Sequence, residues 1–180
     1  MPTPERTSLD AIVAAGRDLL EHEGPAGLTM QAVASRVGVK APSLYKRVRD
    51  RDALLELVVV ATVDDLTARL VAAPATLEAV ARGFRAFAQE RPAGFRLAMS
   101  AGADPDALAR AAGPVLRATE ALVGPDDALA AARLVTAWVT GFLTMELAGA
   151  FRLGGSVEEA FDYGLAHLVA GLSSDRERPS

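Results

Sequence analysis

Residues 28–55 read LTMQAVASRVGVKAPSLYKRVRDRDALL, and this stretch decides the fold. Apolar residues recur at helical spacing over Met30–Val37, and Thr29 stands where an N-cap belongs. Gly38 supplies a turn, because glycine takes left-handed backbone geometry without a Cβ clash. Pro42 fits the first turn of the next helix, about Ala41–Arg47, where its missing N–H costs nothing. Leu44 and Val48, four residues apart, share one face of it. Asp50 caps a longer helix through about Ala72, with Leu54, Leu57, Val58, Ala61 and Leu66 as its buried stripe. Two short helices around a glycine turn, followed by a third, are the parts a helix-turn-helix needs to lay its second helix in the major groove of DNA.

The charge follows the same segment. Between Arg36 and Arg51 stand Arg36, Lys40, Lys46, Arg47, Arg49 and Arg51 against Asp50 alone, an excess of +5. The whole chain carries −4, so the remainder sums to −9. A basic patch on an acidic body is the electrostatic footprint of a phosphate-binding head. A charge run by itself is more often a solvated face.

Outward from this segment the chain keeps reading as helix. Thr7 or Ser8 can cap a first helix whose apolar positions are Leu9, Ile12, Val13, Gly16, Leu19 and Leu20, and Gly24-Pro25 stops it. Beyond Pro74 the pattern predicts helices near 76–91, 92–101, 105–123, 126–151 and 157–172. Asp104-Pro105 is a cap with proline at the first helical position, and Ser156 with Glu159 matches a capping box. No useful period-two alternation appears. The expected architecture is all-α with about nine helices: a three-helix helix-turn-helix domain over 1–52, a connecting helix over 53–75, a helical ligand-binding and dimerisation domain over 76–174, and a frayed tail over 175–180.

In a helix-turn-helix the second helix turns Lys40, Ala41, Pro42, Ser43, Lys46 and Arg47 toward the groove. Ser43 can hydrogen-bond a base or phosphate, Ala41 and Pro42 can touch a thymine methyl, and Lys46 and Arg47 can reach guanine edges or phosphates. Tyr45 has a hydroxyl suited to a phosphate oxygen. Thr29 and Arg51 sit at helix starts, where backbone N–H groups favour phosphate. As a set, Leu28-Thr29, Ala32, Ala34, Val37-Gly38-Val39, Pro42, Leu44-Tyr45, Val48 and Arg51-Asp52-Ala53-Leu54-Leu55 resemble the N-terminal domain of the TetR (tetracycline repressor) family of transcription regulators. That resemblance covers about the first third of the chain. It implies phosphate contacts at Thr29, Tyr45 and Arg51, and contacts to bases or adjacent backbone at Gln31, Ala41, Pro42, Ser43, Lys46 and Arg47. Many members carry a histidine near Lys46-Arg47 and an aromatic at Val48, so the resemblance names no operator.

Farther on, Phe84, Phe87 and Ala88, the run Arg91–Leu97, and Trp138 with Gly141, Leu147 and Gly149 are similar to the ligand domain of a TetR subgroup named for a tryptophan–histidine–glycine pattern. Thr140 stands where the histidine belongs. The resemblance implies a cavity for a small apolar or amphipathic ligand, lined by Phe84, Phe87, Phe95, Met99, Trp138, Phe142 and Met145. Read from spacing alone, the same side chains are more often ordinary core. Arg82, Arg85, Arg96, Arg117, Thr136, Thr140, Thr144 and Glu146 could supply polar handles, and Glu146 in so apolar a helix needs a partner. An inter-helix salt bridge is its plain explanation.

The last predicted helix carries a wide apolar stripe, Phe161, Leu165, Leu168 and Leu172, beside a small-residue stripe, Ala160, Gly164, His167 and Gly171. Helix-interior glycines cost about 1 kcal/mol each against alanine, which suggests a packing reason. This helix and 126–151 are expected to pair with their counterparts in a homodimer.

Several classes are disfavoured. There is no cysteine, hence no disulfide framework or thiolate site. His22 and His167 are the only histidines, no second histidine completes a zinc motif, and no glycine-rich phosphate loop or nucleophile elbow is present. Neither enzyme chemistry nor a cofactor is expected. Met1–Leu9 is short and polar, and the apolar stretch 134–151 contains Glu146 and is flanked by Arg133 and Arg152, so it reads as a buried helix rather than a membrane span. The expected protein is a cytoplasmic, ligand-responsive repressor that binds a palindromic double-stranded DNA operator as a homodimer. The alternative is a small-molecule-binding helical dimer whose head reads no DNA sequence.

Overall fold

The computed structural model describes residues 8–100 and 105–175. Thr7 as an alternative cap, the Asp104 cap and the tail past Asp175 lie outside the described residues. The chain forms α1 (Leu9–Gly27), α2 (Met30–Val37), α3 (Ala41–Leu44), α4 (Arg51–Ala72), α5 (Leu77–Glu90), α6 (Pro92–Ser100), α7 (Pro105–Val123), α8 (Ala128–Leu147) and α9 (Val157–Asp175). Among the described residues there is no strand.

The helix starts are set by side-chain oxygens. Ser8 Oγ accepts the Ala11 N–H at 3.1 Å, Thr29 Oγ1 the Ala32 N–H at 3.1 Å and Asp50 Oδ1 the Ala53 N–H at 2.8 Å. Thr76 and Ser156 do the same at 3.2 Å for Ala79 and Glu159. Each such cap is worth about 1 kcal/mol. Four ends differ from expectation. Helix α1 does not stop at Gly24-Pro25 but continues across a break at Gly24, φ 71, to Gly27. Helix α3 stops at Leu44, and residues 45–47 continue as a turn in which Arg47 and Val48 both donate to the Leu44 carbonyl. Helix α8 ends at Leu147 rather than Phe151. Gly149 takes φ 62 there and donates to Glu146 O at 2.9 Å, while Ala150 donates to Met145 O at 2.9 Å, a Schellman-type stop. Helix α9 runs past Leu172 to Asp175.

The chain divides into two compact units, Met1–Asp65 with Arg91–Ala107, and Leu66–Glu90 with Leu108–Ser180. Helix α6 packs against α1 within the N-terminal unit. That unit's core is Ile12, Leu19, Leu20, Leu28, Met30, Val33, Leu44, Val48, Leu54 and Val58, with Ala93 and Leu97 of α6 packed against it. Burying each large aliphatic is worth about 1.5–3 kcal/mol. Arg91 has no side-chain oxygen to cap α6, and Glu21 on α1 supplies the cap. Its carboxylate accepts the Ala93 N–H at 3.0 Å and the Gly94 N–H at 2.8 Å. Arg17 and Asp65 form an ion pair between α1 and α4.

In the second unit α5, α8 and α9 pack on one another. Leu77, Val80 and Phe87 of α5, Val135, Val139 and Leu143 of α8, and Phe161 and Leu165 of α9 are buried. Thr119 of α7, fully buried, donates to Ala128 O at 3.0 Å and so ties α7 to the start of α8.

Candidate nucleic-acid interface and effector body

Gly38 ends α2 at φ 75, ψ 34, and the turn is closed by Gly38 N–H to Ser35 O at 3.1 Å and Val39 N–H to Ala34 O at 2.9 Å. The chain thereby re-enters α3 with Leu44 and Val48 buried at 0% and 2% exposure in the core. These two side chains fix how α3 is rotated. The opposite side is left to solvent: Thr29, Gln31, Lys40, Pro42, Tyr45, Lys46 and Arg47 are exposed, and Ala41 and Ser43 half-buried. Tyr45 is 53% exposed although it neighbours a fully buried leucine. Tyr45 is the C-cap of α3.

The basic patch is narrower than its sequence suggests. Arg36 lies 3.6 Å from Asp18 on α1, and Arg49 pairs with Asp50 at 2.6 Å. The Ala53 N–H, and next Arg49, hold the Asp50 carboxyl below its ordinary range. Arg51 does not extend freely: its Nε donates to Leu28 O at 2.8 Å and its Nη2 to Pro25 O at 2.5 Å. Among the described residues no acid pairs with Lys40 or Lys46, and both are exposed. The cations offered to an anionic partner are thus concentrated around α3.

The seven residues expected to line one cavity are divided between the two units. Phe95, 1% exposed, and Met99, 39% exposed, lie on α6 in the first unit, whereas Phe84, Phe87, Trp138, Phe142 and Met145 lie in the second. Trp138 and Phe142 join an aromatic cluster with Phe161 and Phe151, at centroid distances of 5.2 Å for Trp138–Phe161, 5.3 Å for Phe142–Phe161 and 4.8 Å for Phe142–Phe151. Met145 is 47% exposed. A hollow of about 250 Å³ opens at the α8–α9 loop beside Phe151, Leu153, Val157 and Ala160, and none of the seven lines it.

Glu146 has the partner its surroundings require. Arg85 on α5 reaches it with Nε at 3.0 Å and Nη2 at 2.7 Å, and Gln89 adds a bond at 3.0 Å. These bonds, Arg85's foremost, hold the Glu146 carboxyl below its ordinary value against the opposing effect of burial. The Arg85 guanidinium also stands over the Phe161 ring at 4.9 Å.

The expected dimer stripe of α9 needs correction. Phe161 and Leu165 are buried inside their own chain, at 0% and 1% exposure, and cannot meet a second copy. Gly164 is small for an internal reason: a Cβ there would stand 2.4 Å from Trp138 Cζ2. Ala160, His167 and Gly171 are exposed and Leu168 half-buried. His167 Nδ1 lies 2.8 Å from Tyr163 O, and its ring lies on the Tyr163 ring at 4.0 Å. Sequence reasoning missed Leu129, Leu134 and Tyr163, which are 51%, 49% and 68% exposed. The signal was present in α8, which is apolar on every side yet has only 33% of its most apolar window buried.

A two-unit helical protein with a solvent-facing helix-turn-helix defines the class, a helix-turn-helix regulator. Residues 12–58 match the model of bacterial regulatory proteins, tetR family, and residues 77–168 match the tetracyclin repressor-like C-terminal domain. The chain is 31% identical over 160 residues to the HTH-type transcriptional regulator Rv0681 of Mycobacterium tuberculosis, covering 81% of this chain and 73% of that protein. It is similar to a crystal structure of a variant TetR from Acinetobacter baumannii AYE in complex with minocycline, at TM-score 0.69, 26% identity and coverage of 96% and 99%. It also shares the fold of SCO7222, a TetR from Streptomyces coelicolor, at TM-score 0.76, 19% identity and coverage of 99% and 100%. The chain belongs to the TetR family of helix-turn-helix transcriptional regulators.

Proposed function

We propose that this chain is a ligand-responsive repressor that binds a palindromic operator as a homodimer and leaves it when a small effector binds. The observation that carries the reading is the pinned α3, with Leu44 and Val48 buried and Tyr45, Lys46 and Arg47 outward. In that role Thr29 and Tyr45 grip phosphate, Gln31, Ala41, Pro42 and Ser43 approach base edges, and Lys40, Lys46 and Arg47 draw the backbone in. The work is that of a cytoplasmic protein.

Two heads must be held one helical turn apart to read a palindrome. The exposed side of α8, with Leu129 and Leu134, together with Ala160, His167, Leu168 and Gly171 of α9, is the surface we assign to the second copy. An effector acts only through unequal affinity for the states that do and do not fit the operator. The A. baumannii relative holds minocycline, an amphipathic molecule, which favours an effector of that kind for this body. Phe84, Trp138, Phe142 and Met145 are the side chains we assign to it, with Thr140 in place of the histidine of the tryptophan–histidine–glycine subgroup.

The test is an anisotropy titration against the DNA preceding the chain's own coding region, repeated at raised salt. Saturable binding that survives competitor DNA, and that is lost in Tyr45→Ala with Lys46→Ala, supports the reading. Binding equal to that of competitor DNA favours a helical ligand-binding dimer with a silent head.

A further inference from the structure

We infer that Arg51 is a positioning residue, a clasp that holds the helix-turn-helix in place from behind, and not one of its phosphate ligands. It is the first residue of α4, immediately after the helix-turn-helix. Its guanidinium reaches back across the motif to the segment that precedes it, giving Nε to Leu28 O at 2.8 Å and Nη2 to Pro25 O at 2.5 Å. Both carbonyls lie where α1 is ending: the helix is broken at Gly24, with φ 71, and Leu28 is its C-cap. Carbonyls at a helix end have lost their intrahelical donors and need others. The Nε–Nη2 edge is the side of a guanidinium that binds an oxyanion through two parallel bonds, and here both of its donors are engaged.

The clasp bears on the reading surface through one residue. Leu28 is fully buried, and the next residue, Thr29, caps α2 through Ala32 N–H at 3.1 Å and through Val33 N–H to its carbonyl at 3.0 Å. Fixing the Leu28 carbonyl therefore fixes Thr29 and the entry of α2. The functional half of this inference rests on the DNA-binding reading above.

The test uses the full chain and a mixed-sequence DNA duplex, with Arg51→Ala and Arg51→Lys compared to the parent. A lysine keeps the charge and loses the two-donor fork. A clasp predicts that both variants lose about tenfold in affinity while log K against log salt keeps its slope, and that the Ala32 and Val33 amides exchange faster with solvent in both. A phosphate ligand predicts that lysine restores affinity, that alanine reduces the slope by about 0.9, and that exchange at Ala32 and Val33 is unchanged; that result overturns the inference. If the parent binds no duplex, the DNA-binding reading fails, and the amide exchange still decides the clasp.

Discussion

Trp138 on α8 fills the space that a side chain at Gly164 on α9 would need: a Cβ built there stands 2.4 Å from Cζ2 and 3.2 Å from Cε2. On an isolated helix, replacing glycine by alanine gains about 1 kcal/mol. Here the methyl would push on a ring held by Phe161 at 5.2 Å and Phe142 at 5.7 Å. Gly164→Ala is therefore expected to destabilise the body by about 1–3 kcal/mol. Urea denaturation reads this, and the Trp138→Leu background should remove most of the penalty. An alanine variant as stable as the parent would show that the ring yields freely.

The Arg85–Glu146 pair gives a pH signature. The side chains are 12% and 15% exposed, and Glu146→Gln should cost about 1–3 kcal/mol near neutral pH by leaving Arg85 half-buried without its counter-charge. Arg85, and secondarily Gln89, hold the Glu146 carboxyl below the ordinary 4.5. A depressed acid contributes its full stability above the unfolded-state value and loses it as pH falls through the folded one. The gap between parent and Glu146→Gln should thus stay constant from about pH 7 to 5 and narrow below about pH 4. A gap that widened on acidification would contradict the assignment.

Head charges should differ in kind. Lys46 has no acidic partner among the described residues, whereas Arg49 is paired with Asp50 at 2.6 Å. Lys46→Ala is expected to reduce the salt slope of duplex binding by about 0.9, and Arg49→Ala by less than half of that. Titrations at several salt concentrations measure both, and equal slopes would show that the Arg49 pair opens on DNA.

The proposed α8 interface can be tested at a position with room inside its own chain. Nothing lies within 4 Å of a Cβ added at Gly141. Gly141→Glu should leave the helix intact and place a charge on the face assigned to the second copy. Sedimentation velocity is expected to find the parent dimeric and this variant monomeric, and a variant that sediments as the parent does would remove α8 from the interface.

Much of this organisation is legible in the residues. Thr29, Gly38, Pro42 and Asp50 each act locally, through a cap, a left-handed turn or a fixed φ, and so they mark α2, α3 and α4 without tertiary information. Glu146 announces its need for a partner because a carboxylate in an apolar helix cannot stay unpaired. The misread parts depend on partners distant in sequence. Nothing local says that Glu21 caps α6 seventy-two residues later and so joins α6 to α1. Periodicity gives Phe161 and Leu165 an apolar face, but cannot say whether their own chain or a second copy covers it. Arg51 reads as one more free cation until its two carbonyl partners are seen.

The central claim is that the exposed side of α3 reads DNA sequence as one of a symmetric pair. The most direct measurement is selection of bound duplexes from a fully randomised library, followed by sequencing. The account predicts enrichment of a two-fold symmetric site whose half-sites lie about 10 base pairs apart, and loss of that enrichment in Tyr45→Ala with Lys46→Ala. A selected pool with the same composition as the input would contradict it.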